Sequence, residues 1–168
     1  MADDFLSVEV IGERALTRNI DQMPEVVRTI LAVKVKDWTH RLAEAVRSNI
    51  ESRLSQKSGK LLRGVQEEVI VGRDRVEGRV FIAGVPHAQA QERGAVIPPH
   101  IIRPRNAKVL AFFAATGDKV IASRVFHPGG QIPPHYFMKD AYREMGPEIS
   151  RGIKKAVVEG ILARMRQG

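Results

Sequence analysis

The sequence predicts an α+β fold in which a small antiparallel sheet, made of two hairpins and an N-terminal strand, packs against a long N-terminal helix and a C-terminal helix. Three observations carry this prediction. Apolar residues recur at helical spacing in residues 27–45 and again in residues 149–165. Between these stretches lie two pairs of short extended runs, each pair flanking a polar turn. Near the start, residues 6–10 alternate apolar and polar side chains and are soon followed by Gly12, the pattern of a short strand with one buried face.

In chain order, the strand is followed by a linker holding Thr17 and Asn19, and then by Pro24, placed where the first turn of a helix tolerates proline. Val27, Leu31, Val35, Trp38, Leu42, Ala45 and Asn49 then keep one face inward, with Asn49 the one polar break in the stripe. A helix over residues 24–54 would be about 45 Å long at 1.5 Å per residue. Ser58-Gly59-Lys60 ends it in a polar loop. The upstream glycine of a phosphate-binding loop is absent, because Leu54 stands there and Leu61 follows the lysine.

Runs 65–71 and 76–83 around Gly72-Arg73-Asp74-Arg75 form the first hairpin. Pro86 and Gly94 bracket a short helix, with its proline and its glycine at the favoured ends. Residues 95–102 read as a proline-interrupted connector. Runs 107–113 and 119–125 around Thr116-Gly117-Asp118 form a second hairpin that closes the sheet. Pro133-Pro134 opens the last helix, with Phe137, Ala141 and Met145 inward. Gly146-Pro147 predicts a kink or a restart. Beyond it Ile149, Ile153, Ala156, Val157, Ile161 and Met165 keep a stripe opposite Arg151, Lys154, Lys155, Arg164 and Arg166.

The 168 residues read as one domain, 1–168, long enough for one sizeable core. With 5% aromatics, that core rests on Val, Ile, Leu and Ala. The absence of cysteine excludes disulfides and thiolate metal sites. The acidic Met1-Ala2-Asp3-Asp4 start lacks the basic region of a signal peptide, so the mature chain is expected to begin there, and no run approaches the length of a membrane span. The net charge of +8 raises nucleic-acid binding as an expectation. The excess is diffuse, however: residues 1–64 hold 11 basic and 9 acidic groups, residues 101–168 hold 12 and 5.

Candidate chemistry is sparse. His40, His87, His100, His127 and His135 show no i, i+4 metal spacing, although His100, His127 and His135 would form a three-histidine site if the loops brought them together. No G-x-S-x-G elbow is present, and the adjacent Glu67 and Glu68 point to opposite faces of a strand. Neither a catalytic set nor a cofactor site is expected. The segment from Arg124 to Met145, with its histidines, prolines and glycines, reads instead as a stiff strand-to-helix elbow.

Four separated pieces, in order, resemble the tail-completion (head-tail joining, or neck) proteins of long-tailed bacteriophages. They are Ser58-Gly59-Lys60-Leu61 after the long helix, residues 88–94 with Glu92 before the glycine, a strand ending in His127-Pro128-Gly129, and Pro134-x-x-Phe137-Met138-x-x-Ala141. Here Arg93 stands between glutamate and glycine, and His135-Tyr136 between proline and phenylalanine. The resemblance implies a structural virion protein of the neck, assembled in the host cytoplasm, that forms a ring of copies of itself, commonly six. Its expected partners are the tail tube or a terminator protein and the head-side connector or stopper, with DNA in the channel close by and no membrane. Glu92, Arg103, Arg105, His127, Pro128 and Phe137 are the residues expected to order the elbow or touch neighbours. The alternatives are a tail terminator of similar fold and, from another class, a basic nucleic-acid-binding protein using Lys154, Lys155 and Arg164.

Overall fold

The computed structural model describes the backbone of residues 7–11 and, with side chains, residues 25–55, 59–73, 75–114 and 116–166. The expectations for Thr17, Asn19, Pro24, Asp74 and Ser58 lie outside these residues. The predicted α+β class is what is observed. Strand β1 (Ser7–Ile11) is followed by helix α1 (Glu25–Arg53) and a one-turn helix α2 (Lys60–Gly64). Strands β2 (Val65–Val71) and β3 (Val76–Ile82) come next, then the short helix α3 (Ala88–Arg93). Six short strands follow: β4 (Ala95–Ile97), β5 (His100–Ile102), β6 (Leu110–Phe113), β7 (Lys119–Ala122), β8 (Val125–His127) and β9 (Gly130–Ile132). Helix α4 (Phe137–Met165) ends the described chain.

Helix α1 is the centre of the core. Val27, Leu31, Val35, Trp38 and Leu42 are buried as their spacing predicts, but the buried face then shifts to Ala43, Val46 and Ile50. Ala45 and Asn49 are only half-buried. The helix serves two partners, the three-stranded sheet on one side and α4 on the other, and this widens its apolar stripe beyond a single line. The sheet has the order β1-β3-β2, antiparallel throughout, with Val65 opposite Ile82 and Val69 opposite Gly78. Val76, Val80 and Ile82 of the central strand are buried. Gly78 lets the sheet approach α1 closely, since a side chain there would overlap Thr39.

Helices α1 and α4 run antiparallel along their length. Small residues set their distance. A Cβ on Gly152 would fall within the Trp38 ring, and one on Gly160 would lie 2.9 Å from the Val27 Cα. Close approach of this kind adds dispersion contacts along about 40 Å of helix. Arg41 of α1 donates to both carboxylate oxygens of Glu148, at 2.7 and 3.1 Å.

Three expectations are corrected. The final helix does not open on Pro133-Pro134 but at Phe137, because Tyr136 adopts a left-handed conformation (φ 47°) that interrupts a helix. Of the kink or restart expected at Gly146-Pro147, the restart does not occur: α4 continues through Pro147. Gly146 offers no side chain to crowd the proline ring, and the Arg41–Glu148 clamp holds the next residue against α1. The expected stripe of α4 also ends early, with Ile161 44% and Met165 73% exposed.

The second hairpin does form, as β6 and β7, with its turn closed by the Ala114 amide donating to the Asp118 carbonyl at 2.8 Å. It does not close the three-stranded sheet. Residues 95–102, expected as a connector, and residues 130–132, within the expected elbow, form strands: 95–97 pairs with 130–132 and 100–102 with 125–127. Ala95 faces Ile132, Ile97 faces Gly130, His100 faces His127 and Ile102 faces Val125. These pairs keep one register across the gap between them, so β4, β5, β8 and β9 form a single two-stranded ribbon. Pro98-Pro99 interrupts one strand opposite Pro128-Gly129 on the other, where prolines have no amide hydrogen for the ladder. Beyond Ile102 the register shifts, because residues 103–109 bulge out against 123–124 before β6 and β7 resume the ribbon.

Candidate functional site

The ribbon leaves the body at a junction built from α1, α3 and the start of α4. The first four amides of a helix lack intrahelical partners. Here they meet a buried carboxylate: Glu92, 4% exposed, accepts the Met138 amide on Oε2 and the Lys139 amide on Oε1, both at 3.0 Å. The two hydrogen bonds satisfy two of the unpaired amides at the positive end of the α4 dipole. In return, the elbow satisfies α3. The His135 amide donates to the Gln91 carbonyl and the Tyr136 amide to the Glu92 carbonyl, both at 3.0 Å.

Helix α1 contributes the second half of the clasp. Asn49 Nδ2 donates to the Phe137 carbonyl at 3.0 Å. Arg53 Nη1 donates to the carbonyl of His135 at 2.8 Å and to Asp140 Oδ2 at 2.7 Å. This hydrogen bond, with Arg143 and Lys139 adding positive charge, holds the Asp140 carboxyl below the usual aspartate range. Phe137, fully buried, fills the space between these groups. Lys139 lies over the Tyr136 ring, 4.7 Å from its centre, steadying the one left-handed residue other than glycine among the described residues. On the ribbon side Gly94 takes φ 77°, ψ 163°, and a Cβ there would sit 2.9 Å from the Ile132 carbonyl oxygen. Only glycine fits where the two strands part from the body.

Beyond this clasp the ribbon has no core of its own. Among the described residues 95–132 none is buried. Val96, Ile101, Ile102, Val109, Phe112, Phe113, Ile121 and Phe126 are exposed, with Val96 and Phe113 each at 74%. The ribbon also holds five cations, Arg103, Arg105, Lys108, Lys119 and Arg124, against the single acid Asp118. None of the five forms an ion pair among the described residues. Four of them lie in or beside the bulge, where 103–109 faces 123–124.

The residues singled out from sequence thus fall into two groups. Glu92 and Phe137 meet in the clasp, on the body side. Arg103 and Arg105 are exposed on the bulge, and His127 and Pro128 lie at the ribbon's proline break. His127 stacks on His100 with ring centres 5.0 Å apart. The Pro98 carbonyl can only accept, so His100 carries its proton on Nδ1 (2.9 Å), while the Gly129 amide can only donate, so His127 leaves Nδ1 bare (3.0 Å). His135 sits in the clasp and does not join them. Among the described residues no group of three or more His, Cys, Asp or Glu side chains is placed to hold a metal ion.

Sequence reasoning missed Asn49, Arg53 and Asp140. Asn49 carried a signal: a polar residue that continues an apolar stripe at helical spacing points at a buried backbone group. Arg53, one turn later on the same face, extends that signal. No family model, no curated protein and no solved structure matches this chain.

Proposed function

We propose that this chain is a structural subunit of the neck of a long-tailed bacteriophage, a ring-forming protein that completes the head-proximal end of the tail and meets the head-side connector. The observation that carries the reading is the ribbon: an exposed, cationic, apolar arm without a core, held to a rigid body by a buried carboxylate cap. Isolated two-stranded ribbons are marginal in water, so an arm of this kind gains its order from what it touches. A ring of identical subunits supplies such a surface at every position. The order of the motifs around Gly59, Glu92, Pro128 and Phe137, which resembles the tail-completion family, supports the same reading, and the work it describes needs no catalytic group or cofactor.

No helix among the described residues is long and apolar enough to cross a membrane. In the proposed setting the protein resides in the virion neck after assembly in the host cytoplasm. Electron microscopy of the purified protein, alone and with tail tubes, tests this: ring-shaped particles or tubes capped at one end are expected. A strictly monomeric species under both conditions overturns it. A tail terminator of similar fold is distinguished by its partner, since it binds the tube and not the head-side connector.

A further inference from the structure

The ribbon and one edge of the body sheet complement each other. The ribbon's exposed Val96, Phe113, Ile121 and Phe126, each more than 60% exposed, favour a protein partner over a phosphate backbone, which offers apolar side chains little to bury against. Its cations call for acids on that partner: residues 95–132 carry five basic groups and one acidic, a net +4, which is half of the chain's +8. The ribbon's outer strand edges also carry backbone donors and acceptors without ladder partners, and a second strand edge matches these best.

The chain itself presents such a surface. In the order β1-β3-β2, strand β2 is paired on one side only among the described residues. Along it Gln66, Glu67 and Glu68 are exposed in succession, and Val71 at its end is 52% exposed. Glu44 of α1 lies alongside, since Arg47 bonds both Glu44 and the Val65 carbonyl. The same copy's ribbon does not cover this edge.

We infer that the ribbon of one copy lies along the free β2 edge of a second copy, its bulge cations Arg103, Arg105 and Lys108 reaching Glu68 on one face of that strand and Glu67, which also meets His40 of α1 at 3.1 Å, on the other. The inference rests on the ring reading above and gives it a definite interface. The contact is head-to-tail: arm and edge are different surfaces, so each copy receives one arm and extends another, and the assembly closes into a ring when the rotation permits.

Two charge reversals test it by sedimentation velocity, with thermal unfolding as a check that each variant folds. Arg103→Glu with Arg105→Glu reverses the arm, and Glu67→Lys with Glu68→Lys reverses the edge. Each pair alone is expected to weaken self-association at least about tenfold, because like charges then face each other. All four changes in one chain restore complementarity and are expected to return association to within about threefold of the wild type. Because the chain has no cysteine, Lys108→Cys combined with Glu68→Cys gives a single thiol pair, expected to cross-link copies into ladders under mild oxidation.

Assembly unchanged by either reversal, or a four-change chain no better than its parents, overturns the inference while leaving the ring reading in place. A wild-type chain that stays monomeric overturns both. An arm reversal that leaves assembly intact but abolishes binding to a short DNA duplex assigns the ribbon to nucleic acid, and equally overturns the inference.

Discussion

The body and the ribbon are built by opposite rules, although they join within a few residues. In the body, α1 is buried against a sheet on one side and a helix on the other, and its buried positions run from Val27 to Ile50. In the ribbon, residues 95–132 contain no buried side chain among those described, and their backbone pairs only with itself. The body is thus ordered by apolar burial. The ribbon is ordered by its register, by a proline break and by one anchored end. Substitutions in the body should therefore act on stability, and substitutions in the ribbon on association.

The largest expected effect is at the anchor. Phe137→Ala removes a fully buried ring where α4 meets α1, and should destabilise the fold by about 3–5 kcal/mol in urea unfolding. A loss below about 1 kcal/mol would mean that hydrogen bonds rather than packing hold the junction. Next in size is Glu92→Ala, which leaves the Met138 and Lys139 amides buried or half-buried without acceptors. A cost of about 2–3 kcal/mol is expected, with Glu92→Gln losing less because one amide oxygen remains to accept. If the cap also fixes the ribbon's direction, Glu92→Gln should weaken self-association more than its stability loss explains.

Gly152→Ala follows. Its methyl group would enter the Trp38 ring, so α1 and α4 must separate or the indole must turn. Overpacking costs about 1–3 kcal/mol, set against about 1 kcal/mol gained by replacing a helical glycine. Thermal unfolding should show a net loss. A gain would mean that the helix pair has slack at its midpoint, contrary to a body ordered by close packing.

How far this division was legible in the sequence follows from the same physics. Periodicity reports burial, so α1, the first hairpin and much of α4 could be read directly from Val27, Leu42, Val80 and Ile149. Strand pairing without burial leaves no periodic trace. Residues 95–97 and 130–132 therefore looked like connector and elbow, since Pro98, Pro99 and Pro128 dominate the local signal. The packing role of Gly152 and Gly160 was not legible, because it depends on Trp38 and Val27 lying across from them, which no local pattern encodes. The clasp was half legible: Glu92 and Phe137 stood out through the family-like motifs, whereas Arg53 and Asp140 were not singled out, because their pairing joins residues 87 positions apart.

Acid should unfold the body through two cross-helix pairs. The hydrogen bond from Arg53 lowers the pKa of Asp140, and that from Arg41 lowers the pKa of Glu148. A carboxyl group whose folded pKa is depressed contributes stability that is full above its unfolded pKa, about 4, and is lost as pH falls through the folded value. Melting temperature should accordingly be flat above about pH 5 and fall below about pH 4. Asp140→Asn combined with Glu148→Gln should flatten that fall. Glu148 is half-exposed and Asp140 partly so, so added salt should also reduce the difference between variant and wild type, mainly through Glu148.

The smallest expected effect on stability is the most informative for the comparison. Phe113 and Ile121, 74% and 64% exposed, lie on the outer half of the ribbon, where Ala111 faces Ile121 and Phe113 faces Lys119. Changing both to serine removes apolar surface that the isolated chain does not bury, so unfolding free energy should move by no more than about 0.5 kcal/mol. Association should respond strongly, because in the assembled state these side chains have somewhere to go. Equilibrium sedimentation and denaturant unfolding of the same preparation measure both. A variant that loses more than about 1 kcal/mol of stability would show that the ribbon folds back on the body in solution and belongs to its core. One that keeps both stability and association would mean that these apolar side chains meet no partner, leaving the basic bulge as the ribbon's only contact surface.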